Sequence, residues 1–562
     1  MLKRILAIAL LNVTWLSMAG TAHAASPITL LAQQCLQYEV LLYDEMSSDA
    51  TTQAVALERQ LIGLFNLKDS VNYYRQFLVY AEEKELLLQC QLRLADEFAA
   101  LAHHPSINAL VQALQLSQAA DEQLLGQRLS QLITQQTSLR QKAALHATQA
   151  GVKHALRQQS LSLVIGEENR CFLLAKAGET RLQTGNEAQF SESIATYLIA
   201  QEDSLCRQQV WQAYQLRAKQ KNQQALQFLF DTKQQVAVQH GYPDYASYAL
   251  ASQQLSSPEL VNQFLDAMTH SAIAPWDLGK ALSEAPKTDI KPIFTQVLLQ
   301  KIYRELGLFG IRVEAINPQV LRVWHRQRLL GEIYFAQNKI PAVKRIRQSV
   351  VGHQFGQVSL SFPDVLDDYR AQHRLISALA EALTQLLKGG RYYLLNTLGD
   401  NQDTSTVGQY WLSLYLSQKL LPQIQPDSRE EYLYVYATQL KVYRSKLALG
   451  FYQGRLEAQK YQQEFALSFN QPWPQAQDAI YSFTGIINQG PLYYQELWQQ
   501  KLAQLIYQHG NDHQDQKQLF SILMINEAQL PFSLQLDTIF GEPMSPSSLI
   551  ERIQHVQIAS IL

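Results

Sequence analysis

The sequence predicts a mostly α-helical protein with one small β-sheet, and three observations carry that reading. Apolar residues recur at spacings of three and four over long stretches such as 51–65, 70–98 and 375–387, the pattern of helices with one buried face. Glycine and proline are sparse, 24 and 18 in 562 residues, so little interrupts those helices. Only residues 320–362 depart from the pattern. There, 320–325 and 331–336 are short β-branched or aromatic runs and 357–362 alternates apolar with polar, which predicts a small sheet.

At the start of the chain, residues 1–24 read as a secretory signal. Lys3 and Arg4 precede an apolar stretch beginning at Ile5, and Ala22-His23-Ala24 forms a small-x-small cleavage site. The stretch is short and broken by Asn12, Thr14 and Ser17, which argues against a membrane anchor. No later segment is apolar enough to span a bilayer, so the mature chain is expected to be soluble and exported, to the periplasm or beyond. At this length, and with 47% hydrophobic residues, the chain divides into more than one folding region. The expected division is an N-terminal helical region over 25–159 and a second region over 160–562. A net charge of −2 provides no electrostatic footprint for nucleic acid or an anionic membrane surface. The four cysteines all survive signal removal, and their even number suits an oxidising compartment. Of three possible pairings, sequence proximity favours Cys35–Cys90 with Cys171–Cys206; buried thiols are the other reading.

From 28 to about 159 the chain reads as helix after helix, rich in Gln, Leu and Ala, including a helix over 121–150. The turn His103-His104-Pro105-Ser106 separates two of them, and its histidines are expected in solvent rather than on a metal. The stretch RQQVWQAYQLR at 207–217, then Asn222, then QHGYPDYASYAL at 239–250, predicts two amphipathic helices. A stop at Gly241 and a turn at Pro243-Asp244 follow, then a helix packing its tyrosines inward.

In order and spacing, that last stretch resembles a segment of the thimet oligopeptidase/oligopeptidase A family of zinc metallopeptidases. Further segments resemble the same family along roughly 160–555. VWHRQRLLGEIYFAQNK at 323–339 is similar to the family's strand pair, keeping Gly331, Tyr334 and Lys339. LISALAEALTQLL at 375–387 resembles the helix that carries HExGH. YSFTGIINQGPLYYQELW at 481–498 resembles a glycine-rich substrate-binding loop, and FGEPMSPSSLI at 540–550 a closing segment. The resemblance implies the family's fold: predominantly helical, two-lobed, with a deep channel and a small sheet at its wall.

The chemistry of that family rests on two imidazoles one helical turn apart that share one Zn²⁺, with a glutamate between them polarising the bound water. Setting Ala382-Leu383 on the Ala-Leu that follows the family's motif places Ser377 at the first ligand, Ala378 at the base and Glu381 at the second ligand. Continuing without a gap places Thr406 at the third ligand. Thr484 stands where the loop would supply a histidine, and Glu496 where it would supply a tyrosine; a carboxylate there opposes a developing oxyanion. Two hydroxyls and one carboxylate are a poor zinc set. His325, His353 and His373 are the remaining imidazoles near this region, but His373 and Glu381 lie about 12 Å apart along one helix, too far to share an ion. The expectation is therefore an exported, non-catalytic relative with no metal cofactor. Its old channel would hold a peptide or an extended protein segment, with Tyr493, Tyr494, Gly331 and Tyr334 at the binding surface. Core packing is the other reading of Tyr493. Two other readings of the chain stay open: an active zinc oligopeptidase with an unusual ligand set, and a structural protein whose channel is filled.

Overall fold

A computed structural model describes residues 26–40, 49–134, 139–157, 194–397, 402–513, 516–527 and 529–555. The signal-like segment and Cys171 lie outside the described residues. The chain divides into two compact units, residues 1–133 and 134–562.

The first unit is built on helices α1 (Pro27–Leu36), α2 (Ala50–Tyr74) and α3 (Ala81–His103). The hydroxyl of Ser26 accepts the Ile28 N–H at the start of α1, and the carboxylate of Asp49 accepts the Thr52 N–H at the start of α2. Ala32 and Cys35 of α1, Leu64, Leu67 and Val71 of α2, and Leu87, Cys90 and Leu94 of α3 share one core, closed by a Cys35–Cys90 disulfide. The periodicity over 70–98 predicts one helix, whereas α2 and α3 are separated by a 3₁₀ turn at Arg75–Phe77. No glycine or proline marks that break. Tertiary packing makes it, because Leu87, Cys90 and Leu94 must return to the surface that Leu64 and Val71 present. The predicted turn at 103–106 is present: His104 caps the helix Pro105–Gln115, and its Nδ1 lies 2.5 Å from the Ser106 hydroxyl.

The second unit begins one helix earlier than the expected boundary at 159. Helix α4 (Leu139–Arg157) packs there: Val152 is in that unit's core, Gln149 Nε2 donates to the Ile487 carbonyl and Arg217 Nη2 to that of Leu156. Helices α5 (Ser204–Leu216) and α6 (Lys219–Gln239) follow, and Trp211 of α5 meets Trp276 and Trp473 edge-on. Cys206 of α5 is disulfide-bonded.

Strand β1 (Ile293–Phe294) and helix α7 (Thr295–Leu308) lead into the sheet strands β2 (Ile311–Asn317), β3 (Val320–His325), β4 (Arg328–Gln337), β5 (Ala342–Arg347) and β6 (Gly356–Phe362). A short β7 (Val365–Leu366) pairs with β1. The five-stranded order is β2-β3-β4-β6-β5, antiparallel except for the β4–β6 pair. The three predicted strands are β3, β4 and β6; β2 and β5 carry no strand signal strong enough to have been foreseen.

Helix α8 (Tyr369–Leu387), capped by Asp368, lies on this sheet with Leu375, Leu379, Leu383 and Leu386 at or near zero exposure. Two paired glycines make the approach possible: a Cβ at Gly331 would overlap the Gly356 carbonyl and sit 2.7 Å from Leu386 Cδ2, and one at Gly356 would meet the same methyl at 2.8 Å. Helix α9 (Val407–Leu420) packs on α8, and α10 (Arg429–Tyr452) and α11 (Gln495–His513) complete the surroundings. Among the described residues, no helix is long and apolar enough to cross a membrane.

Candidate functional site

Helix α8 has two faces. Its leucines fill the core, while Ser377, Glu381 and Gln385, at successive steps of four, line the partly exposed side, with Lys388 just past the end. Ala378 is buried on the flank, so the position expected for a general base carries a packed methyl. Ser377 Oγ lies 2.8 Å from Ser413 Oγ of α9, a hydroxyl pair with no base attached. Glu381 is half-buried; its contact is Gln385 Nε2 at 3.4 Å, and burial raises its carboxyl above the ordinary range. Gln385 Oε1 is buried without a hydrogen-bond partner among the described residues. Opposite stands Tyr410 of α9, whose hydroxyl is pushed up to about 12, first by burial and then by the nearby charges of Glu496 and Glu381.

Thr406 is not part of this group. It precedes α9 and its N–H donates to Gln499 Oε1 at 3.1 Å, whereas the residue facing Ser377 is Ser413, seven residues and about 10 Å farther along the chain. The ungapped match fails because the path between two helices, not the local pattern of either, decides which turns face each other. No group of three or more His, Cys, Asp or Glu side chains among the described residues could hold a metal ion. Around Glu381 the donors are neutral hydroxyls and amides, which do not fit Zn²⁺. The imidazoles lie elsewhere. His325 is buried at the end of β3, held below its ordinary range by burial and by Arg326 and Arg328. His353 is exposed in a turn, and His373 stacks on Tyr369 with ring centroids 6.2 Å apart.

The loop at 481–498 separates its two tyrosines. Tyr493 is half-buried, with Lys441 Nζ 3.9 Å from its ring centroid and Phe483 beside it; the missing side chain of Gly485 leaves room for the ring. Tyr494 corrects the expectation. It is fully buried, its hydroxyl donating to Asp403 Oδ2 at 3.1 Å, and Asp403 also accepts the N–H groups of Gln254 and Leu255. Neighbours on a 3₁₀ turn point about 120° apart, so only one of the two can face outward. Thr484 is exposed, and Glu496, also exposed, is neutralised by Lys441 Nζ at 2.8 Å.

The sheet corrects two more residues. β4 is an interior strand, bonded to β3 and β6, so its backbone cannot receive a peptide. Gly331 serves the approach of α8. Tyr334 points to the outer face, donating to Glu332 Oε2 at 2.7 Å and accepting from Gln357 Nε2 at 2.9 Å, and burial together with Glu332 pushes its hydroxyl up to about 12. Among the described residues, the sheet ends at β2 and β5. Beside β5, burial and Arg345 lower the Lys388 ammonium to about 8, and no carboxylate among the described residues pairs with it. Gln385 and Lys388 could have been found by following the exposed face of α8 beyond Glu381; Ser413 and Tyr410 required the fold.

The sequence matches no family model and no curated protein. The fold does match solved structures: that of a Pyrococcus furiosus carboxypeptidase, titled as an apo-Mg form, aligns with a TM-score of 0.53 at 12% identity, covering 92% of this chain and 99% of that one. The fold resembles that of this carboxypeptidase, and at this identity the likeness concerns the fold alone.

Proposed function

We propose that this chain is an exported holder of peptides, a metallopeptidase-like fold that binds a peptide or an extended protein segment without hydrolysing it through a metal-activated water. The observation that supports it is the exposed face of α8, where a Ser377–Ser413 hydroxyl pair and a single desolvated carboxyl, Glu381, occupy the region expected to carry the ligands. Hydrolysis would need an ion or an activated nucleophile, and among the described residues the hydrogen-bond partner of Ser377 is another hydroxyl. Binding has more support: Gln385 Oε1 has no hydrogen-bond partner among the described residues, and β2 and β5 each pair with a described strand on one side only. The signal-like residues 1–24 support export.

Metal analysis of the purified mature protein, an assay on a mixture of short quenched peptides and a direct binding measurement test this together. Expected are far less than one zinc per chain, no chelator-sensitive cleavage, and saturable peptide binding weakened by Gln385→Leu. Stoichiometric zinc with chelator-sensitive cleavage would overturn the reading, as would a failure to bind any peptide.

A further inference from the structure

We propose that the turn joining α2 to α3 is a membrane-contact tip, which seats its aromatic and apolar side chains in the interface of a lipid bilayer without help from charge. The turn reads YRQFLVY over residues 74–80. Leu78, extended at φ −72° and ψ 125°, packs against the first unit's core, and the residues around it face out. Phe77 is 59% exposed, Val79 76% and Tyr80 70%, with Tyr74 at 38%. Exposed apolar residues are ordinary when scattered, but four within seven residues form a patch. Tyr73 meets the rings of Tyr74 and Phe77 edge-on, with centroids 5.2 and 5.3 Å apart, which holds those rings as a group. The turn also forgoes a stabilising contact that the other two helices of this core make. α1 and α2 start on Ser26 and Asp49, each accepting a backbone N–H, whereas α3 starts on Tyr80, whose side chain accepts none. Neither packing nor capping accounts for an exposed tyrosine at that position.

The occupant follows from the position of the signal-like leader. Ser26, two residues past its cleavage site, donates from Oγ to Glu83 Oε1 at 3.4 Å, in the first turn of α3. The leader therefore joins the folded unit within one helical turn of Tyr80, and a leader held in a bilayer during export brings this tip to the bilayer surface. The side chains suit that setting. Tyrosine rings favour the headgroup level, where the ring is covered and the hydroxyl stays wet, while Phe77 and Val79 supply the apolar groups that go deeper. Charge contributes nothing: residues 74–85 hold Arg75 and Lys84 against Glu82, Glu83 and Glu85, a balance that gains nothing from anionic lipid. Among the described residues no helix is long and apolar enough to cross a membrane, so the contact stays at the surface. This inference is independent of the peptide-holding reading.

The test is flotation of the full mature chain with phosphatidylcholine vesicles, and with vesicles that also contain phosphatidylglycerol, at low and high salt. It is repeated with the double variant Phe77→Ser/Val79→Ser, with thermal melts to confirm folding. We expect the chain to float with phosphatidylcholine alone, with little change on adding anionic lipid or salt, and the double variant to lose at least threefold in bound fraction. Residues 26–133 contain no tryptophan, so Phe77→Trp adds a reporter at the tip, and bromine-labelled acyl chains should quench the emission it adds to that of the parent chain. Failure to float, equal flotation of the double variant, absence of quenching in Phe77→Trp, or binding that needs anionic lipid and disappears at high salt would each overturn the inference. So would a lipid-free dimer that the double variant converts to a monomer, because a second copy would then be what covers the tip.

Discussion

Helix α8 and strand β5 lie against each other but present opposite chemistry to solvent. Along α8 the partly exposed groups are hydroxyls, an amide and a carboxyl that resists ionisation; along β5 they are Lys344, which is exposed, Arg345, which donates to Gln348, and Arg347, which donates to the Phe355 carbonyl. An ion-binding centre depends on a few side chains and disappears when they change. A strand edge depends on the backbone, and survives any substitution that leaves the strand paired on its other side.

The largest effect should come from joining the two regions wrongly. Gly331→Val would drive a side chain into the Gly356 carbonyl and Leu386, and is expected to cost about 3 kcal/mol or more in denaturant unfolding, with loss of peptide binding. Gly352→Ala is the control: its φ is +83° but nothing lies within 4 Å, so the cost should stay near ~1 kcal/mol. Next, Tyr494→Phe should destabilise by about 1–2 kcal/mol, since it deprives the buried Asp403 of a donor, yet leave peptide affinity unchanged. Loss of affinity would return Tyr494 to the binding surface. Ser377→Ala and Ser413→Ala should each cost about 1 kcal/mol, and a double-mutant cycle should couple them by roughly 0.5–1 kcal/mol.

The smallest effect carries a pH signature. Glu381 has a folded-state pKa above its ordinary value, so as pH rises the unfolded chain loses this proton first and stability falls, until the native carboxyl has ionised as well. Below the ordinary carboxylate range both states are protonated and the term vanishes. Glu381→Gln should therefore stabilise the protein by about 0.5 kcal/mol at pH 7 and change nothing near pH 3, as read from denaturant midpoints across pH. A destabilising Glu381→Gln at pH 7 would mean that the carboxylate has a cationic partner.

What the sequence made legible followed local rules. The buried leucines of α8 announce themselves at spacings of three and four, and β3, β4 and β6 by β-branched residues or alternation. β5 stayed hidden because it opens after Pro341 and holds three cations in six residues; it is a strand because β6 lies alongside it. The same limit governed the site. Ser377 and Glu381 share a face by helical arithmetic, but their facing residues, Ser413 and Tyr410, depend on how the chain crosses from one helix to the next. Tyr493 and Tyr494 look alike in sequence, and only the turn they occupy separates a surface ring from a core one.

Gly331 and Gly356 bring a leucine of α8 down onto bare backbone, with no intervening side chain to slide or rotate. Contact of that kind leaves no play. Helix and strands are therefore expected to travel together as a single wedge, so that movement within the second unit is left to its other parts.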